Sequence, residues 1–289
     1  MSATQLSLPA GACDCHTHVV GERALYPMVE DRQYTPAPAP HDALVEHLQR
    51  TCLQRAVIVQ PSFYGSDNRC MLQSLKRLSG AGRGIAVVDE GVDDAALRQL
   101  HDAGVRGLRV NLESAGVRDG RLLERALHHW AARIAAWGWH LQVYASHQTI
   151  AQLTPMLTRL AVPVVLDHFA MVPADTAADD ATLEPILDAL ASGNVYIKLS
   201  APYRIAVGDV VAGAVSLART FLTANPHRIL WGSDWPHTNR DHGKSAHEVS
   251  RYRDIPSATL RDSIESWLPT AELRQQVLVT NPARLYQFT

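Results

Sequence analysis

The run Ala56-Val57-Ile58-Val59-Gln60-Pro61, "AVIVQP", is apolar at successive positions, without the in-and-out alternation of a strand that faces water on one side. A strand of that composition is buried on both faces, the condition of a parallel sheet covered by helices. Two further runs read the same way, "VPVVLD" at Val162–Asp167 and "RILWGS" at Arg228–Ser233. Outward from these, short β-branched segments alternate along the chain with segments of helical period. The expected strands are Cys13–Val20, Ala56–Pro61, Gly84–Asp89, Gly107–Leu112, His140–Ala145, Val162–His168, Val195–Ser200 and Arg228–Ser233. The expected helices are Asp42–Thr51, Asn68–Ser79, Asp93–Ala103, Arg121–Trp137, Gln148–Leu160, Leu183–Ala191, Asp209–Ala224 and Ala258–Leu278. Eight such units predict an α/β fold, a single closed (β/α)8 TIM barrel spanning 1–289. An open doubly wound sheet is the weaker reading, because neither a G-x-G-x-x-G nor a G-x-x-x-x-G-K-[ST] sequence is present.

Bulk properties narrow the partner. The 289 residues are 46% hydrophobic and 19% charged, with a formal net charge of −2, a globular composition without the basic field that nucleic acid or an anionic membrane requires. A small molecule is the expected partner. The N-terminus lacks a leader pattern, and no stretch reaches the roughly 20 apolar residues of a membrane span, so a cytoplasmic location is expected. Cys13, Cys15, Cys52 and Cys70 are too few for a disulfide scaffold. The C-x-C pair reads as buried strand residues, since the rest of a zinc cysteine cluster is missing.

In a barrel of this kind chemistry gathers at the C-terminal strand ends. "CDCHTHVV" puts His16 and His18 on one strand face. Strand two leads into Gln60 and Ser62, then Asp67 and Asn68 at a helix start, where capping is the ordinary role. Strand four offers Arg109 and Asn111, strand five His140, Gln142 and Tyr144 on one face, and strand six Asp167 and His168. Strand seven brings Lys198, Ser200, Tyr203 and Arg204, and strand eight Ser233 and Asp234. His140 precedes Tyr144 by four residues, about 13 Å deeper at about 3.3 Å per residue, and reads as barrel interior. Two long connections stand out: Gly21–Pro40, with Tyr26, Tyr34 and "TPAPAP", is a lid candidate, and "DWPHTNRDHGKSAHE" holds His237 beside His242 and His247, which read as solvated.

The combination of "DCHTH", "LDHF" and "WGSDWPH" resembles the amidohydrolase superfamily at its metal and acid/base positions. With "QPSFYGSDN", "GLRVNL", "WGSDWPHT" and "NPARLYQF", it is similar to the branch of 2-pyrone-4,6-dicarboxylate lactonase and related sugar-lactone and sulfomuconolactone hydrolases, from about Asp14 to Phe288. The resemblance implies that Asp234 is the general base, that His16, His18 and His168 surround the carbonyl under attack, and that Ser62, Arg109, Tyr144 and Arg204 bind substrate oxygens; His237 is expected among the substrate-binding residues. Such roles agree with elementary chemistry, since a carboxylate takes a proton from water and imidazole N–H groups stabilise an oxyanion. Guanidinium groups grip carboxylates in a fork.

Two-metal members of that family carry a Lys or Glu on strand four and a His on strand five, where this chain has Arg109 and Tyr144. A binuclear centre is therefore not expected; because arginine beside the histidines adds charge that a divalent ion would oppose, no metal is the favoured expectation, and a single Zn at His16, His18, His168 and Asp234 the competitor. The family's dicarboxylate enzyme has a further arginine soon after strand four, where "LESAGVRDG" supplies Glu113 and, later, Arg118. Glu113 would repel a second carboxylate, so a mono-acidic or differently shaped lactone fits that segment. The expected activity is hydrolytic opening of a small carboxylated lactone, such as a 2-pyrone-4,6-dicarboxylate-like, muconolactone-like or sugar-acid lactone. The alternatives are a zinc-dependent decarboxylase or hydrolase of the same superfamily, and a non-catalytic acid-binding barrel.

Overall fold

In the computed structural model, residues 7–111, 120–177, 180–206 and 208–289 are described. Glu113 and Arg118 lie outside the described residues. All eight expected strands are present: β1 (Cys13–Thr17), β2 (Arg55–Val59), β3 (Gly82–Ala86), β4 (Val105–Asn111), β5 (His140–Tyr144), β6 (Val164–Leu166), β7 (Val195–Ser200) and β8 (Ile229–Gly232). Each pairs in parallel with the next, in chain order from β1 to β8. The first and last strands meet through backbone bonds just beyond β8. The Asp234 N–H donates to His16 O at 2.9 Å and the His18 N–H to Trp235 O at 2.8 Å, with Thr17 bridging Trp235 in parallel.

The helices are α1 (His41–Thr51), α2 (Arg69–Leu78), α3 (Asp94–Asp102), α4 (Gly120–Ile134), α5 (His147–Leu157), α6 (Leu183–Ala191) and α7 (Val210–Ala224), followed by α8 (Ser257–Trp267), α9 (Ala271–Gln275) and α10 (Asn281–Tyr286). Helices α1–α8 bury apolar residues at helical spacing, as α1 does with Leu44, Leu48 and their buried neighbours His47 and Thr51. The single helix expected over Ala258–Leu278 is broken. Pro269 disfavours helical geometry at Leu268, which has φ −122° and ψ 69°, and the Thr270 side chain then caps a new helix by accepting from Leu273 N–H. Asn68 also departs from its expected capping role. Its side chain donates to Val87 O at 2.8 Å and accepts from Val87 N–H at 3.2 Å, taking over the backbone pairing where β3 ends.

Strand β1 contains an irregularity that matters for the site. Asp14 pairs with Ala56 but Thr17 with Ile58, so β1 carries one extra residue against β2. Such a bulge re-aims side chains. Cys15 packs in the barrel interior with Val57, Val59, Tyr196 and Leu230, and the very next residue, His16, also contacts interior groups, Asp167 and Lys198. Both inward positions cannot occur in an unbulged strand. The barrel floor is closed by Leu285, Tyr286 and Phe288, with the Arg83 guanidinium 4.6 Å over the Phe288 ring.

The Gly21–Pro40 connection is tied across the mouth. Thr35–Pro36 pairs in parallel with Val249–Ser250, Arg32 bonds His247 Nδ1 at 2.7 Å, and the Tyr252 hydroxyl donates to Ala37 O. His242 and His247 are exposed, His247 with this partner.

At the β1–β8 seam a Cβ on Gly232 would stand 2.6 Å from His16 Cβ and 2.8 Å from His16 N. Gly232→Ala should therefore force the two strands apart and cost about 1–3 kcal/mol. Urea unfolding checks this, and an unchanged midpoint would show that the seam tolerates a methyl group.

Candidate active site

The seam bonds present the side chains that follow β1 and β8 to one another at the C-terminal mouth. Asp234 adopts φ +63° immediately after β8, a left-handed conformation uncommon for a non-glycine residue. Its Oδ1 lies 3.5 Å from His16 Nε2 and 3.4 Å from His18 Nε2, all three groups being buried. The other oxygen is fully engaged: Oδ2 accepts from Arg204 Nη2 at 2.7 Å, Arg204 Nε at 2.9 Å and the Tyr203 hydroxyl at 2.8 Å. One carboxylate oxygen is thus clamped and the other is left for chemistry.

His18 is oriented by Val59 O, 2.7 Å from Nδ1. A carbonyl only accepts, so Nδ1 carries hydrogen and Nε2 turns to Asp234 Oδ1. His168 follows β6 and begins a run of four left-handed residues, His168–Met171, with φ between +50° and +55°. That conformation costs about 1–2 kcal/mol per residue. Its Nδ1 lies 2.9 Å from Ser200 Oγ, and its ring centroid is 4.7 Å from that of His16 and 5.2 Å from that of Tyr144.

Beneath these groups lies a buried polar cluster. Lys198 Nζ donates to Gln142 Oε1 at 2.6 Å and lies 3.4 Å from His16 Nδ1 and 3.5 Å from Asp167 Oδ1. Asp167 Oδ2 accepts from Gln142 Nε2 at 3.1 Å and faces Arg109 Nη2 at 3.4 Å. His140 sits deeper, against Tyr286, as barrel interior.

Burial alone would raise Asp234, but the Arg204 guanidinium, with His168, His18 and His16, holds its carboxyl well below the usual carboxylate range. Asp167 is likewise held low against burial by His16, Lys198 and Arg109. Burial, then the Lys198 charge, lowers His16 to about 4. Burial also pushes His168 well down and His237 to about 4. The imidazoles of His16 and His168 are neutral near pH 7.

A cleft of about 360 Å³ opens above. Of the residues singled out in the sequence, His18, Ser62, Arg109, Tyr144, His168, Arg204 and Asp234 line it. His16, fully buried against Asp234, is not among the lining residues, and His237, expected to bind substrate, lines a separate cleft beside α1 instead, 3.5 Å from the Tyr203 hydroxyl. Gln33, Tyr34, Thr238, Asn239, Arg240 and Arg253 complete the wall. Of these six the sequence pointed only to Tyr34, as part of the lid candidate, because they come from the long connections after β1 and β8, where no strand period marks an inward residue. Asp167 and Lys198 were visible as strand-end residues without an assigned role. The wall holds four arginines against one carboxylate, an environment for an anion.

His16, His18 and Asp234 also place three ligand atoms close enough to share one metal ion, as do His16, Asp167 and His168. His16 Nε2 and Asp234 Oδ1 have no hydrogen-bond partner among the described residues, which suits a cation by position. The surrounding charge does not, because Lys198, Arg204 and Arg109 stand against the same histidine and carboxylates.

The family model described as amidohydrolase matches residues 13–288. The chain is 36% identical over 301 residues to the 2-pyrone-4,6-dicarboxylate hydrolase of Comamonas testosteroni, covering 99% of this chain and 93% of the relative. It is 28% identical to the 4-sulfomuconolactone hydrolase of Hydrogenophaga intermedia, over 96% of this chain and 89% of that one. Among solved structures, a probable 2-pyrone-4,6-dicarboxylic acid hydrolase of Acinetobacter baumannii with citric acid bound superposes with a TM-score of 0.79 at 25% identity, covering 96% of this chain and 100% of its own. A Burkholderia multivorans amidohydrolase with bound zinc shares the fold, with a TM-score of 0.69 at 21% identity over 97% of this chain and 100% of its own.

Replacing Arg204 by Met should destabilise the protein by about 3 kcal/mol at pH 7, the lower end for a broken buried pair because the guanidinium keeps some water. In the wild type Asp234 titrates below its unfolded value of about 3.9, so its pairing stabilises above pH 4 and is lost as pH falls further. Without Arg204, burial raises the carboxyl, and stability declines as pH climbs above 4. Denaturant unfolding at pH 4 and pH 7 should show the gap between variant and wild type narrowing at pH 4; a pH-independent gap would refute the pairing.

Proposed function

This chain belongs to the amidohydrolase family, as one of its lactone-opening hydrolases, and we propose that it opens a small carboxylated lactone by water attack on the ring carbonyl, assisted by Asp234. The observation that carries this reading is the divided carboxylate. Arg204 and Tyr203 fix Oδ2, and the buried Oδ1 lies beside His16 and His18 Nε2 without a hydrogen-bond donor of its own among the described residues. A water seated on Oδ1 at the cleft gives its proton to Oδ1 as its oxygen attacks the carbonyl carbon. The ring C–O bond then breaks, the alkoxide or enolate takes up the proton, and the product is the ring-opened acid.

Neutral His16 and His168 serve as N–H donors to the developing oxyanion, where preorganised donors in a dry site are worth most. Arg109, with Ser62 and Tyr144, holds the substrate carboxylate, and the Tyr144 ring under the Arg109 guanidinium, 5.5 Å away, keeps that fork in place. Citrate in the Acinetobacter protein and the acidic substrates named for the two curated relatives support an anionic ligand. The step needs no metal, and none is assigned a part in it. A binding-only role is disfavoured, because a buried carboxylate in the wall of an anion site weakens binding unless it does chemistry. No helix among the described residues is long and apolar enough to cross a membrane, in keeping with a small diffusible substrate.

Asp234→Asn should lower kcat by about 10²–10⁴-fold, the usual contribution of a general base, with a much smaller effect on substrate affinity. Ring opening of a panel of carboxylated lactones, followed spectroscopically, measures this; near-wild-type turnover by the variant would overturn the base assignment. The same panel, assayed before and after exhaustive chelation, should show unchanged rates. Activity lost on chelation and restored by zinc would replace this reading with a mononuclear metal hydrolase, and release of carbon dioxide would replace it with a decarboxylase.

A further inference from the structure

We propose that Lys198 is a positioning residue that fixes the hydrogen of His16 on Nε2, and that it thereby keeps the His16–His18–Asp234 cluster an oxyanion-stabilising site instead of a metal site. This deepens the metal-independent part of the reading above. Lys198 is fully buried in the barrel interior. An ammonium has three donors and no acceptor. Its surroundings supply Gln142 Oε1 at 2.6 Å, His16 Nδ1 at 3.4 Å and the Asp167 carboxylate at 3.5 Å. That set is satisfied only when His16 Nδ1 is bare, and a neutral imidazole with a bare Nδ1 carries its hydrogen on Nε2, the atom facing Asp234 Oδ1.

A metal requires the opposite arrangement. The ligating nitrogen must offer a lone pair, and the other ring N–H is then commonly donated to a carboxylate behind it. Asp167 Oδ1, 3.3 Å from His16 Nδ1, stands in that place, yet has no hydrogen-bond partner among the described residues. The same ring can therefore serve either state, and the Lys198 donor selects between them. Removing that donor while keeping the side-chain volume frees Nδ1–H to bond Asp167, which stays held by Gln142 and Arg109, and exposes the Nε2 lone pair beside His18 Nε2 and Asp234 Oδ1.

Two measurements test this. Long-range 1H–15N spectra of the wild-type protein, with His16 identified by its loss in His16→Gln, should show a neutral ring with hydrogen on Nε2; hydrogen on Nδ1 would overturn the proposal whether or not any Lys198 variant folds. Zinc titration, read by calorimetry and by elemental analysis after gel filtration, should give Lys198→Met one zinc per chain with an affinity at least about tenfold above wild type, in line with outer-sphere effects on metal sites. Equal zinc affinity in folded Lys198→Met and wild type would also overturn it. Neither readout uses a substrate, so each stands apart from the lactone assignment, which fails separately if no carboxylated lactone is opened. Damage to packing alone would lower metal affinity, the opposite of the expected direction.

Discussion

Two backbone hydrogen bonds at the seam between β1 and β8 decide what this molecule can do. Asp234 N–H to His16 O and His18 N–H to Trp235 O join the ends of the sheet, and they do so at the residues whose side chains meet at the cleft. A parallel barrel has no free edge once closed, so the seam cannot slip without breaking the fold. The Asp14 side chain reinforces it by accepting from Ser233 N–H at 2.9 Å and from His16 N–H at 3.2 Å, while His47 holds its second oxygen at 3.0 Å. A carboxylate and two imidazoles are thereby held together by the bonds that close the barrel.

That proximity creates an electrostatic problem, solved by alternating charge. Asp167 and Asp234 are both fully buried, and each would be costly alone. Lys198 and Arg109 meet the first, Arg204 the second, and neutral histidines fill the space between. Lys198 is part of the floor, whereas Arg109 and Arg204 both line the cleft, the Arg204 side chain being 22% exposed. The site therefore keeps the Lys198–Asp167 charges below and the Arg204–Asp234 pair at the cleft, with His16 in contact with both carboxylates.

Much of this was legible in the sequence. Doubly buried strands are continuous apolar runs, so eight parallel strands could be counted, and the polar residues ending them fall where the cleft forms. Two kinds of feature were not legible. The bulge in β1 leaves no mark in "CDCHT", since both Cys15 and His16 suit a buried position and only the pairing with β2 shows that both turn inward. The cleft wall from Tyr34, Thr238, Asn239, Arg240 and Arg253 comes from two connections strapped together across the mouth, a tertiary event with no local period. The broken helix after residue 267 could have been read from Pro269, where the apolar stripe was allowed to outweigh the proline.

The relation between Lys198 and the metal question follows from strand geometry. In a barrel, residues from alternate strands stack in layers, so a long cation on β7 reaches inward to the same depth as Gln142 on β5 and His16 on β1. Two-metal relatives are expected to fill this depth with ligands on strands four and five; here Arg109 and Tyr144 occupy those strands, and Lys198 supplies positive charge from the opposite side. A resident ammonium cannot leave, be chelated or exchange, so it polarises His16 permanently. A metal would offer stronger Lewis acidity, but attack on an activated lactone carbonyl is met by placed N–H donors and one free carboxylate oxygen. The same folded charge thus fits the weaker demand of the reaction and removes the proton arrangement that an ion would need.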